Sequence, residues 1–263
     1  MTAARLRAWL LRGWVALVFG FLMLPVVVIA LASFSRTSYL TVPPRGLTLR
    51  WFTNVLGDPE YLHAIGFSLL LALVATAGAV AAGVAASFAL IRRRVPGGAL
   101  VSALLNAPLV FPAVVVGVAL LQFYAMVRLN GTFVGLAFAH MVITVPYVVR
   151  AVMASLQGID PELEHAARVL GANGPVAFFT VTLPLIRPGV AAGALFAFIV
   201  SFDNVPVSIF LLGAGQMTLP VKIFTAIEYG VDPSIAAIST LLIVLTGVGL
   251  AVAERWIGFH RFV

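Results

Sequence analysis

Six long apolar blocks divide this chain, and they restrict its fold more than any other feature. A helix needs about 20 apolar residues to cross the hydrocarbon core of a bilayer, and each block is long enough. The polar stretches between them are too short to form an aqueous domain. We therefore predict an all-α integral membrane protein, one domain over residues 1–263, with six transmembrane helices. The predicted spans are 13–34, 64–91, 100–127, 132–156, 188–212 and 234–257.

Composition supports a lipid environment. Hydrophobic residues make up 62% of the chain and charged residues only 10%, whereas soluble domains carry about 25% charged residues. So much apolar surface cannot be buried in one water-exposed core. The net charge of +7 comes from arginines at the ends of the apolar blocks, and no basic run is interleaved with aromatics. We expect lipid, and not nucleic acid, around this chain.

The residues that common catalytic and cofactor sites require are missing or badly spaced. There is no cysteine, and the one lysine, Lys222, follows Val221, where a phosphate-binding Walker A loop needs glycine. The histidines are far apart in sequence and form no HExxH pair: His63, His140, His165 and His260. We predict no catalytic residue, metal or cofactor in this chain, so any nucleotide would bind to a partner.

Basic residues predict the orientation. Of the 16 Lys and Arg residues, eleven fall on the side of the N-terminus if the spans alternate, and five on the other. Because cytoplasmic loops are the richer in Lys and Arg, both termini are predicted to be cytoplasmic. The first block, preceded by Arg5, Arg7 and Arg12, imitates a signal peptide. Its apolar run is longer than a signal core, which favours a retained span over a cleaved one.

Small residues predict close helix packing. Ala75, Ala79, Gly83 and Ser87 recur every four residues in the second predicted span. Such a stripe lets neighbouring transmembrane helices approach closely.

A polar insert separates the fourth and fifth blocks. Asp160 is a suitable N-cap, Pro161 suits the first helical position, and Glu162 and Glu164 place negative charge at the positive end of the helix dipole. Gly171 is placed to end this helix. A turn and a second short helix then lead to Leu183 and Pro184. The sequence predicts a helix–turn–helix on the cytoplasmic side, either a docking element or simply a well-capped loop.

The spacing within this insert resembles the EAA loop in permease subunits of binding-protein-dependent ABC importers. Three residues separate Ala166-Ala167 from Gly171, and nine more lead to Val181-Thr182-Leu183-Pro184. His165 stands where that family has glutamate, with Glu164 one position earlier. Because successive helical residues point about 100° apart, Glu164 cannot replace the missing glutamate. The resemblance implies that the insert, residues 157–187, is a coupling loop. Its candidate ATPase-coupling residues are Glu164, His165, Ala166, Ala167, Gly171, Leu183 and Pro184.

Other segments are similar to the spermidine/putrescine branch of this family: residues 50–52, 201–206, 215–222 and 232–237. The resemblance implies a bacterial inner-membrane permease that works by alternating access. Its implied partners are a second permease subunit in a heterodimer, an ATPase dimer that holds ATP and Mg²⁺, and an external solute-binding protein. Alternatives are another solute, such as an organophosphonate or ferric iron, and a secondary transporter driven by an ion gradient.

Polar residues inside the predicted spans are candidates for the solute path. Asp203, beside Asn204, is the one acidic residue well inside a span, where a charge costs about 3 kcal/mol. It either faces the path, caps a break near Pro206, or pairs with a basic residue. Four further polar residues are candidates for lining a cavity: Gln122, Tyr124, His140 and Thr144. For this whole set, hydrogen bonds between helices are the favoured interpretation.

The stretch from Leu219 to Tyr229 reads as a short amphipathic helix on the external surface. It is interpreted as a lid over the bundle, with a gate or a docking surface as alternatives.

Overall fold

The computed structural model describes residues 3–93, 95–230 and 232–257. Every regular element in these ranges is a helix, and the one extended pairing is an isolated antiparallel bridge between Ser35 and Leu47. The all-α prediction is therefore confirmed. Arg94, His260 and Arg261, which enter the charge and histidine patterns above, lie outside the described residues.

The chain divides into two compact units, Met1–Leu62 with Ile223–Val263, and His63–Lys222. In chain order the α-helices are α1 (Ala3–Ala32), α2 (Arg50–Gly57), α3 (Pro59–Arg92), α4 (Gly98–Asn106), α5 (Ala113–Val127), α6 (Phe133–Gln157), α7 (Glu162–Val169), α8 (Gly174–Ala177), α9 (Leu183–Phe202), α10 (Ser208–Leu211), α11 (Leu219–Tyr229) and α12 (Pro233–Ile257). The predicted short helix on the external side matches α11.

Four helices are long and apolar enough to cross a membrane: Trp9–Ala32, Pro59–Arg92, Phe133–Gln157 and Gly174–Phe202. They lie at the first, second, fourth and fifth predicted spans. A bent pair, Gly98–Leu109 with Ala113–Val127, makes a fifth if it counts as one span. The described apolar part of α12, Pro233–Gly249, is shorter. By length and composition, the described residues thus give four spans, or five with the bent pair, and the predicted count of six is not confirmed.

The third predicted span is not one helix. It consists of α4, a 3-10 turn at Ala107–Leu109, and α5, and the two halves are bent by 106°. Proline explains the break, because it lacks an N–H and its ring clashes with the preceding turn. Pro108 lies in the 3-10 turn and Pro112 immediately precedes α5.

The fifth predicted span, 188–212, is displaced relative to the observed helix. A continuous helix runs from Gly174 to Phe202 through a π-helical turn at Phe178–Thr182. It begins inside the polar insert, so the second short helix of that insert and the fifth span are one element. The chain then breaks at Asp203, before the four-residue α10.

The first unit contains α1, α2, α12 and the connection between α1 and α2. α12 packs against both α1 and α2. The indole Nε1 of Trp51 donates to the carbonyl of Ser35 at 2.8 Å, and the rings of Phe34 and Phe52 lie 5.1 Å apart. These contacts fold the connection back onto α2. Large side chains of α1, including Trp14 and Phe21, are exposed, as lipid-facing residues would be.

In the second unit, α6 is the most enclosed of the long helices. Val148 of α6 lies between two glycines: a Cβ at Gly83 of α3 would be 2.7 Å from its Cγ1, and one at Gly193 of α9 would be 2.9 Å from its Cα. Only glycine permits both approaches. All four residues of the predicted small stripe are buried, so the prediction of close packing on α3 is confirmed.

Candidate coupling site and solute path

The first helix of the polar insert, α7, has well-defined ends. The Asp160 carboxylate accepts a hydrogen bond from the Glu162 N–H at 3.0 Å, which satisfies a free donor in the first turn. At the other end Gly171 has φ 97°, a left-handed conformation that favours glycine. The Ala172 N–H then donates to the Ala167 carbonyl at 3.0 Å and closes the helix. The predicted end at Gly171 is confirmed, whereas the helix begins at Glu162, one residue later than predicted, with Pro161 at the N-cap.

The second helix of the insert begins at Asn173, whose side-chain oxygen accepts from the Val176 N–H at 2.9 Å. From Gly174 the chain is helical as far as Phe202. Leu183 and Pro184 therefore lie inside this helix, at the point where the π-helical turn gives way to α9. The insert and the candidate membrane span Gly174–Phe202 therefore share one continuous helix.

Glu164 is the buried acid of α7, with a side chain only 8% exposed. Its Oε1 lies 3.1 Å from Arg92 Nε and accepts from the Thr182 hydroxyl at 2.8 Å. Arg92 also donates to the carbonyl of Ile159 at 3.0 Å. We refer to Arg92, Glu164 and Thr182 as the ionic cluster. It joins the end of α3 to α7 and to the π-helical turn.

The opposite face of α7 is exposed. His165 has a side chain 61% exposed and lies 3.3 Å from the Glu162 carboxylate. Ala166 is also exposed, and Ala167 is half-buried. Val169 and Leu170, at the end of the helix, are 87% and 88% exposed. Glu164, which binds α7 to the rest of the unit, and His165, which faces outward, are therefore adjacent in the sequence.

Four of the candidate path residues are not brought together. Asp203 ends α9 and is exposed. Asn204 is half-buried, caps the next turn by accepting from the Val207 N–H at 2.9 Å, and lines a cavity of about 140 Å³. Gln122 is exposed on α5. Tyr124, two residues later and hence on another face, is buried in an apolar cluster with Leu71 and Leu136.

His140 is fully buried and connects three elements. Its Nδ1 lies 2.9 Å from the Ser201 hydroxyl, and its Nε2 lies 3.0 Å from the Ser208 hydroxyl. Because Ser208 donates to the Asn204 carbonyl at 2.6 Å, the ring must donate from Nε2 and accept at Nδ1. Thr144 donates to the His140 carbonyl at 2.7 Å. The predicted hydrogen bonding between helices is confirmed for His140, whereas the bond from Thr144 lies within α6.

Similarity to known proteins identifies the family. The family described as "Binding-protein-dependent transport system inner membrane component" matches residues 77–259. This chain belongs to that family. It is therefore an inner-membrane permease subunit of an ABC importer and not an enzyme, which sets aside the gradient-driven alternative.

Two relatives and one solved structure are similar to this permease over most of its length. It is 32% identical over 238 residues to the Escherichia coli (strain K12) spermidine/putrescine transport system permease protein PotC, covering 90% of each chain. It is 33% identical over 237 residues to the putrescine transport system permease protein PotI of the same organism, covering 88% of this chain and 84% of that one. A bacterial ABC transporter involved in alginate import superposes with a TM-score of 0.78 at 15% identity, covering 97% and 98% of the two chains. That likeness supports the fold alone.

Sequence analysis of the permease missed two residues of the ionic cluster. Arg92 is the first residue of an arginine triplet at the end of a predicted span. The triplet indicated only the orientation of the chain in the membrane. Thr182 occupies the variable position between Val181 and Leu183. The available signal was Glu164, which lies one position before the expected glutamate. A glutamate that faces inward at this position needs a basic partner.

No cluster of three or more His, Asp or Glu side chains in the described residues is arranged to hold a metal ion.

Proposed function

We propose that α7 is the helix through which cytoplasmic ATPase subunits move this permease. The observation that carries this proposal is the contrast between its two faces. Glu164 is buried in the ionic cluster, whereas Val169 and Leu170 are 87% and 88% exposed at the end of a helix in a polar insert. Apolar side chains exposed to water in this way favour a surface that a protein partner covers.

The candidate coupling residues divide into two groups. His165 and Ala166 lie on the exposed face and would contact the ATPase, and Gly171 sets the end of the contact surface. Ala167 is half-buried beside them. Glu164, Leu183 and Pro184 would instead transmit motion, since Glu164 fastens α7 to α3 and the other two lie in the continuous helix.

The assembly we propose is a heterodimer of this chain with a second permease subunit. An ATPase dimer carrying ATP and Mg²⁺ and an external solute-binding protein complete it. Residues 1–263 would form one permease domain with both termini and the insert in the cytoplasm. The excess of basic residues on that side supports this orientation. Alternating access would follow from ATP-driven closure of the ATPases. Reporter fusions at both termini test the topology, and a reporter that responds only outside the cytoplasm would contradict it.

Replacement of Val169 and Leu170 by serine tests the docking surface. Burial of one such side chain contributes about 1.5–3 kcal/mol, so we expect ATPase binding to weaken at least tenfold for each substitution. Val176→Ser is the matched control, because Val176 is exposed on the same insert but outside α7. The measurement is ATPase retained by the purified permease pair. Equal retention by the double variant and the control would contradict the proposal.

We propose a polyamine such as spermidine or putrescine as the solute. The names of the two relatives support this, as does the acidic Asp203 at the end of α9. Uptake of radiolabelled spermidine by the complete transporter in proteoliposomes tests the substrate. Uptake of a phosphonate or of ferric iron in its place would overturn it.

Asp203→Asn should reduce spermidine uptake if Asp203 faces the path. Unchanged uptake and substrate choice would remove Asp203 from the path.

A further inference from the structure

Two interrupted helices of the second unit border the same cavity. The break between α4 and α5 contributes Pro108 and Leu109, and the break after α9 contributes Asn204. Tyr147 of α6 also lines this cavity, whose volume is about 140 Å³. Irregular backbone at membrane depth is tolerated where it is buried in protein or lines a water-filled space. Discontinuous helices also form the binding sites of many transporters.

The larger cavity of this unit does not share these properties. It measures about 280 Å³ and is lined by apolar residues of the unbroken helices α3 and α6, including Val74, Phe138 and Met141. No polar group is available there to hold a charged solute. Its lining is typical of a surface that lipid covers.

A polar face extends from the smaller cavity along α6. Arg150 lies one turn after Tyr147, and its Nε donates to the Asn106 side-chain oxygen at 3.0 Å. Asn106 directly precedes the 3-10 turn that borders the cavity. Arg150 is exposed in this structure, and an arginine facing lipid within a span costs about 3 kcal/mol. Water or protein, and not lipid, is therefore expected to cover this face.

The charges around the cavity favour a cation at its Asn204 side. Asn204 follows the C-terminal end of α9, where the helix dipole is negative, and Asp203 is adjacent. The N-terminal end of α5, at Ala113, and the guanidinium of Arg150 carry the opposite sign. An aromatic ring such as that of Tyr147 attracts ammonium groups through its face. An alkylammonium group would therefore be held between Tyr147 and Asn204 and would not advance as far as Arg150.

We infer that this cavity, between the two helix breaks, holds one ammonium end of the solute during its passage through the permease. The inference rests on the proposed polyamine function and deepens it. It also replaces Gln122 and Tyr124 as path candidates, since neither lines the cavity.

The absence of cysteine in the chain allows a direct test. Ala113→Cys places a thiol at the cavity, and Ala119→Cys places one at an exposed position of the same helix outside it. In the complete transporter, a positively charged methanethiosulfonate reagent should label the cavity thiol. Spermidine should slow that labelling several-fold and leave Ala119→Cys unaffected. The readout is the mass of this subunit.

Substitution of Tyr147 gives a second, independent measurement. Tyr147→Leu should raise the KM for spermidine uptake about three- to tenfold, because it removes the aromatic ring. Tyr147→Phe keeps the ring and should leave the KM at its wild-type value. If the wild-type complex takes up spermidine but the cavity thiol is inert or unprotected, the inference fails and the proposed function stands. If the wild-type complex takes up no spermidine, the substrate assignment fails, and with it the ammonium site. Labelling of Ala113→Cys then decides separately whether the cavity lies on an aqueous path.

Discussion

The second unit attaches a short helix to its long helices in two places, with different chemistry in each. At α7 the attachment is ionic: Glu164 contacts Arg92 at 3.1 Å and Thr182 at 2.8 Å. At α10 it is neutral: His140 contacts Ser201 at 2.9 Å and Ser208 at 3.0 Å. The difference follows the surroundings. α7 belongs to a polar insert, where an ion pair loses less hydration, whereas His140 is enclosed by apolar helices, where a charge is costly.

Glu164→Ala should have the largest effect, because it leaves Arg92, whose side chain is only 11% exposed, without its counter-charge. Breaking a buried ion pair costs about 3–5 kcal/mol. We expect a lower midpoint of thermal unfolding for the purified permease and loss of ATP-driven uptake. Glu162→Ala is the control, since that side chain is 77% exposed and should cost less than about 1 kcal/mol. Equal effects of the two substitutions would show that the ionic cluster does not stabilise the insert.

His140→Ala should have an intermediate effect. It removes hydrogen bonds to two buried hydroxyl groups, and bonds of this kind between transmembrane helices contribute about 1–2 kcal/mol. We expect a smaller drop in the unfolding midpoint than for Glu164→Ala, with ATPase binding retained. His63→Ala, at an exposed position of α3, serves as control. A loss of ATPase binding in His140→Ala would mean that the two attachments are not independent.

His165→Glu should have the smallest effect on folding. The side chain is 61% exposed, and exposed substitutions usually change stability by less than about 0.5 kcal/mol. Any change should appear in ATPase stimulation by the loaded solute-binding protein, because this position faces outward. The same substitution therefore separates the docking face from the ionic cluster. A stability loss comparable to that of Glu164→Ala would contradict the assignment of the two faces.

Local patterns predicted much of this fold. The fourth span, expected at 132–156, is the helix Phe133–Gln157, and the expected short helix from Leu219 to Tyr229 matches α11. Gly171 has the left-handed conformation that ends α7. In each case the deciding chemistry lies within a few residues: a polar residue at a boundary, or a glycine where a side chain would be strained.

Features that depend on distant residues were not predictable. Arg92 and Glu164 are 72 positions apart, and no local pattern pairs them. Prolines in the third block permitted a bend, but its angle of 106° does not follow from the prolines alone. The start of the fifth helix was placed too late because Pro184, Arg187 and Pro188 suggested a boundary, whereas the helix runs through all three.

The helix from Gly174 to Phe202 has 29 residues and no interruption, so at 1.5 Å per residue it is about 43 Å long. Near one end lies the turn that Thr182 joins to α7, and the other end is at Phe202, two residues before Asn204. A movement that an ATPase imposes at the aqueous end would therefore reach the proposed solute cavity through one helix. The timing of ATP hydrolysis and the shape of the cavity would be coupled through that helix.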